Sequence, residues 1–155
     1  MKYRKLGHTG TVVSALALGT MYFASETPED EAFKILDAYV EAEGNLIDTA
    51  DVYVGGLAEQ VVGRWLAARP REITDRVVLA TKGRAGNNAD PNAIGLSRRY
   101  LHRALDASLR RLGVYAGGGE IADEGMPQGV EVSVAARVVN VGQESRTFGF
   151  QSLSV

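Results

Sequence analysis

The chain has 155 residues, with 17 Lys+Arg against 19 Asp+Glu and a net charge of −2, a length that fits one domain and leaves little for a second. At 45% apolar and 23% charged residues the composition is that of a soluble globular protein, and the balanced charge argues against a nucleic-acid partner. Without cysteine there is no disulfide framework, thiolate nucleophile or cysteine-bound metal.

In chain order, Lys2–Ser14 reads as a hairpin around Gly7-His8-Thr9-Gly10, where glycine can supply positive φ. The run Ala15–Thr20 is short and apolar, as expected of a buried strand. Thr27-Pro28-Glu29-Asp30 predicts a helix start, with Thr27 as N-cap and acids in the first turn. Phe33, Ile35, Leu36, Tyr39 and Val40 give that helix one apolar stripe, and Gly44 is its expected terminal glycine. A second strand follows over Asn45–Ala50. The Gly55-Gly56 loop then opens a helix over Leu57–Ala68, with Leu57, Val61 and Trp65 on one side.

After a polar link, Arg71–Arg76, the segment Val77–Lys82 is a third buried strand. A polar loop, Gly83–Gly95, leads to a helix starting near Leu96-Ser97, whose face is Leu101, Leu105, Leu109 and Leu112 and whose end is Gly113. Three β-then-α units in succession predict parallel strands with right-handed crossovers. Beyond Gly113 the texture changes: Tyr115–Gly129 is glycine-rich, and Val130–Val134 and Thr147–Gln151 alternate as two antiparallel strands. No apolar run approaches the ~18–20 residues that span a bilayer. The basic N-terminus lacks the apolar region of a signal peptide, so the expected location is cytoplasmic and away from membranes.

In parallel α/β folds, function collects at the carboxyl ends of the strands. Asp48 closes the second strand, Lys82 closes the third, and Tyr53 lies in the loop leaving the Asp48 end. Carboxylate, ammonium and phenol at one rim can transfer a proton, because an ammonium stabilises phenolate and a carboxylate orients the ammonium. Singly, each has an ordinary reading: a helix cap or turn former, a solvated lysine, a packed tyrosine. Gly55-Gly56 is either a tight turn or a phosphate cradle at a helix N-terminus, and the cradle keeps an unrelated phosphate-binding barrel enzyme as a further alternative. His102 falls inside a helix and His8 in the hairpin turn, and two histidines alone make no metal site.

The opening MKYRKLGHTGTVVSALALGTM, the segment NLIDTADVYVGGLAEQVVGRWL and the strand VVLATKGR resemble the aldo-keto reductase family. The resemblance covers residues 1–113, and the run from Asp48 through Tyr53 to Gly63-Arg64 is its most specific part. It implies part of a (β/α)8 barrel closed below by an N-terminal hairpin, and NADPH-dependent reduction of aldehydes or ketones to alcohols. Tyr53 would be the general acid toward a small carbonyl substrate, Lys82 would stabilise its phenolate, and Asp48 would hold Lys82. Gly19, Thr20 and Met21, with Asp48, would border the nicotinamide and its ribose, and Tyr22 and Tyr53 would help wall the substrate pocket.

The resemblance stops where the family continues into a fourth strand ending in histidine. Here Val114 runs into YAGGGEIADEG. Complete barrels of this type take ~250 residues, so residues 1–113 are expected to be the front of a truncated reductase, weakly active or inactive, with 114–155 a divergent β-rich tail. Such a sheet would have two open edges and an apolar inner face including Leu16, Leu18, Leu46, Ile47, Val78 and Leu79. The alternative function is a non-catalytic module that forms homo-oligomers through its open sheet edge.

Overall fold

The computed structural model describes residues 1–84 and 90–114, together with the backbone of 131–134. The expected hairpin is strand β1, Tyr3–Lys5, antiparallel to β2, Val12–Ser14. Gly7 and Gly10 turn it with φ of 55° and 86°. The chain then alternates: β3 (Leu18–Gly19), α1 (Glu29–Glu41), β4 (Leu46–Asp48), α2 (Leu57–Ala67), a short α3 (Arg71–Thr74), β5 (Val78–Thr81), α4 (Arg98–Leu112) and β6 (Glu131–Val134). The second sheet has the order β3-β4-β5-β6, with every neighbouring pair parallel.

Several local expectations shift. Pro28, not Thr27, stands at the N-cap of α1, and no side chain caps it. Glu29, Asp30 and Glu31 still place negative charge against the helix dipole. At the other end, Glu43 rather than Gly44 takes the left-handed conformation, at φ 64°. Its amide bonds the Val40 carbonyl and the Gly44 amide that of Tyr39, the pairing of a Schellman end. Gly44 is glycine for a different reason: a β-carbon there would collide with the ring of Tyr39.

The tail strand over 131–134 exists, but it lies parallel to β5 as a fourth strand of the main sheet. Its expected antiparallel partner, Thr147–Gln151, lies outside the described residues. The β5 edge is therefore paired, and β3 and β6 are the two edge strands, each with one neighbour among the described residues.

The pleat divides the expected inner face in two. In register, Leu18, Ile47 and Leu79 form one row, and Leu46 and Val78 belong to the opposite face. The first row packs on the helices: Ile47 and Leu79 are fully buried in one cluster with Ala32, Leu36, Val61, Val62, Trp65 and Leu112. Leu57 departs from its predicted stripe and is 42% exposed. Helices α2 and α4 touch through Gly63, where a β-carbon would press on the Arg111 carbonyl and the Leu112 backbone. Ion pairs tie α2 to α1. Arg64 grips Glu29 at 2.7 and 2.8 Å, and Asp37 accepts from Arg69 and the Trp65 indole.

The hairpin is fastened to the amino ends of the strands. Asn45 Oδ1 accepts from the Ser14 amide at 2.6 Å, and its side-chain amide donates to the Val12 carbonyl. The Tyr39 hydroxyl meets Ser14 Oγ, the Leu16 carbonyl and both the amide and the carbonyl of Leu46, all within 3.1 Å. This leaves the carboxyl rim clear of the hairpin. No helix among the described residues is long and apolar enough to cross a membrane.

Candidate active site

Parallel register assembles the rim. Asp48 stands opposite Gly19 on one side and Ala80 on the other, so Lys82, two residues beyond Ala80, shares its face of the pleat. Past the strand ends, the Thr49 amide bonds the Ala80 carbonyl and the Asp51 amide bonds the Lys82 carbonyl, at 2.8 and 3.0 Å. The two exits are thereby strapped together. A 3-10 turn over Tyr53–Gly56 follows, with Val54, Gly55 and Gly56 all at positive φ.

At the centre lies the Lys82 ammonium. It donates to Asp48 Oδ2 at 2.8 Å, the Thr49 carbonyl at 2.6 Å and the Tyr53 hydroxyl at 3.3 Å, which accounts for its three protons. The same nitrogen is 4.9 Å from the centre of the Tyr53 ring, within cation–π range. The three residues singled out from the sequence thus form one continuous group at the carboxyl rim, and both members of the ion pair remain partly accessible.

Around this group, Thr20 is buried and bonds the Asp48 carbonyl through both its amide and its hydroxyl. Gly19 has open space where a β-carbon would stand. Met21 and Tyr22 are more than half exposed. His8 and His102 are exposed, and no group of three metal-ligating side chains occurs among the described residues.

Behind the rim lies a buried polar layer that the sequence patterns did not single out. Glu59, in the first turn of α2, has no accessible surface. It accepts from Thr81 Oγ1 and Arg111 Nε, each at 2.6 Å, and Arg111 also reaches Ser108. Asp51 accepts from the Tyr100 hydroxyl at 3.0 Å, and burial pushes its carboxyl above the usual aspartate range despite that bond. The available sequence signal was Glu59 itself, an acid three residues before Val62 and seven before Leu66 and so on their face of the helix. Gly56 is explained at the same place: with φ at 92°, its missing β-carbon leaves room for the Arg111 side chain.

The sequence profile of the Aldo/keto reductase family matches residues 15–117. An uncharacterized oxidoreductase, YrpG, of Bacillus subtilis is 40% identical over 120 residues, covering 72% of this chain and 36% of that protein. The 6-dehydroglucose reductase of Novosphingobium aromaticivorans is 41% identical over 120 residues, 72% of this chain and 38% of that one. Norsolorinic acid reductase B of Aspergillus parasiticus is 36% identical over 125 residues, 72% and 32% of the two chains. Among solved structures, the holo form of aldo-keto reductase AKR11C1 from Bacillus halodurans superposes with a TM-score of 0.59 at 38% identity, covering 73% of this chain and 37% of that one. The chain spans about a third of the length of the curated relatives it matches.

Proposed function

The chain belongs to the aldo/keto reductase family, and from that premise we propose that it carries the proton-donating half of an NADPH-dependent carbonyl reductase. The observation behind this reading is the Lys82 ammonium shared between Asp48 Oδ2 and the Tyr53 hydroxyl at the carboxyl rim of a parallel sheet. The rim also fits one face of the cofactor. Gly19 leaves open space at the first strand end, beside the accessible Asp48 carboxylate and the exposed Met21. In this reading Gly19, Thr20, Met21 and Asp48 hold the nicotinamide and its ribose. NADPH, when bound, supplies hydride to the carbonyl carbon.

The chain's own residues manage the proton. Tyr53 donates its phenolic hydrogen to the carbonyl oxygen of a small aldehyde or ketone. Lys82 then stabilises the phenolate, and Asp48 keeps Lys82 from swinging away. Tyr22, exposed beside Met21, lines the substrate's approach. Measured on these 155 residues alone, turnover is expected at trace level, since binding energy spread along the cofactor is what orients it. The test is NADPH consumption with a small aldehyde at high protein concentration, alongside Tyr53→Phe. Loss of the trace activity in the variant is expected, and equal rates in the two proteins would overturn the reading.

A second reading, a non-catalytic module that self-associates, is favoured by one observation. The β3 edge has no second neighbour among the described residues, and nearby Leu16 is 68% exposed. A mass by light scattering that rises with concentration, without NADPH binding, would select it.

A further inference from the structure

We infer that Glu59 is a positioning residue for proton donation, acting through Thr81 on Lys82 and through Arg111 on the Tyr53 loop; this rests on the reductase reading above. The two groups that must meet, Lys82 and Tyr53, hang from different elements. Lys82 directly follows β5, and Tyr53 begins the turn that leads into α2. Their 3.3 Å contact therefore depends on how β5 and the start of α2 sit relative to each other.

Among the described residues, the Glu59 side chain grips both sides. One carboxylate oxygen takes the hydroxyl of Thr81, the residue immediately before Lys82. The other takes Arg111 Nε, and the Arg111 stem lies over Gly56, the last residue of the Tyr53 turn. Ser108 holds the guanidinium from its own helix at 3.2 Å. Glu59 belongs to α2, so the brace closes a loop of contacts: β5 end, α2 start, α4 and the Tyr53 turn.

Burial makes this brace stiff. Glu59 has no accessible surface, and Thr81 is 1% exposed. Water is therefore not at hand to replace the Thr81 bond, and a carboxylate so enclosed would be left uncompensated without its partly exposed partner Arg111. Among the described hydrogen bonds, none joins the Glu59 or Thr81 side chain to the phenol or the Lys82 ammonium, so their influence is on position.

The experiment reads position directly. In protein labelled at lysine and tyrosine side chains, the nuclear Overhauser cross-peak between the Lys82 ε-methylene and the Tyr53 ring is measured, with Tyr53→Phe and Lys82→Met to assign it. Glu59→Gln and Thr81→Val are expected to abolish the cross-peak in protein that still melts cooperatively, and Thr81→Ser, which keeps the hydroxyl, is expected to restore it. A general loss of stability would move the melting temperature in all three variants without this pattern. If Glu59→Gln fails to fold, the Thr81 pair decides. A cross-peak unchanged in folded Thr81→Val would overturn the inference, since Asp48 and the Thr49 carbonyl would then suffice to place Lys82. A wild-type cross-peak without any NADPH-dependent reduction would overturn the reductase reading and leave the brace standing.

Discussion

The ring of Tyr39 fills the space that a β-carbon on Gly44 would need. That packing aims the Tyr39 hydroxyl at Ser14, Leu16 and Leu46, joining the hairpin and the first two strands of the sheet. Gly44→Ala is expected to displace the ring and cost about 1–3 kcal/mol, the usual range for overpacking. Urea unfolding monitored by far-ultraviolet circular dichroism would show the lowered midpoint.

Asp37 predicts an acid-side loss of stability. The Arg69 guanidinium, helped by the Trp65 indole, holds its carboxyl below the usual aspartate range. Its folded value lies under its unfolded one, so the stabilisation is present above the ordinary aspartate range and disappears as pH falls through the lowered value. The pair is partly exposed, so screening limits the effect to about 0.5 kcal/mol. Asp37→Asn should flatten that part of the stability profile, as read by thermal melts from pH 2 to 6.

Asp51 has the opposite sign. Burial raises its carboxyl above the usual range, so its contribution is fully present below the unfolded value and is lost as pH rises through the raised folded one. Asn can still accept from Tyr100 without carrying charge. Asp51→Asn should match the wild type near pH 3 and exceed it in urea midpoint near pH 7. A gap that does not grow with pH would contradict this.

Ending the chain after Val114 removes β6 and bares the backbone edge of β5. Exposed edges of this kind pair with other chains. The shortened protein is expected to show a larger mass by light scattering than the full chain at equal concentration, and a cooperative monomer would count against a covering role for the tail.

Apart from the short α3, which falls on the segment read as a polar link, the order of the parallel strands and their helices through Gly113 was legible because those strands are short apolar runs and those helices carry a periodic face. Asp48, Tyr53 and Lys82 were legible because a parallel sheet sends every strand end to one rim. Other features depend on three-dimensional neighbours. Leu57 belonged to a plausible stripe, yet the packing of α2 on α4 through Gly63 turns it outward. Glu59 finds its partners Thr81 and Arg111 22 and 52 residues away, beyond the reach of any local pattern. The direction of β6 was also hidden, since alternation marks a strand without telling which neighbour it joins.

Val54 follows Tyr53 directly and sits at φ 50°, ψ 42°. A branched side chain held in that region costs on the order of 1–3 kcal/mol, a cost glycine avoids. Relief of that strain opposes glycine's greater freedom in the unfolded chain, roughly 0.5–1 kcal/mol, and the larger of the two sets the sign in favour of glycine. A screen for heat resistance should return Val54→Gly early, and in those clones the phenol next door should wander more freely.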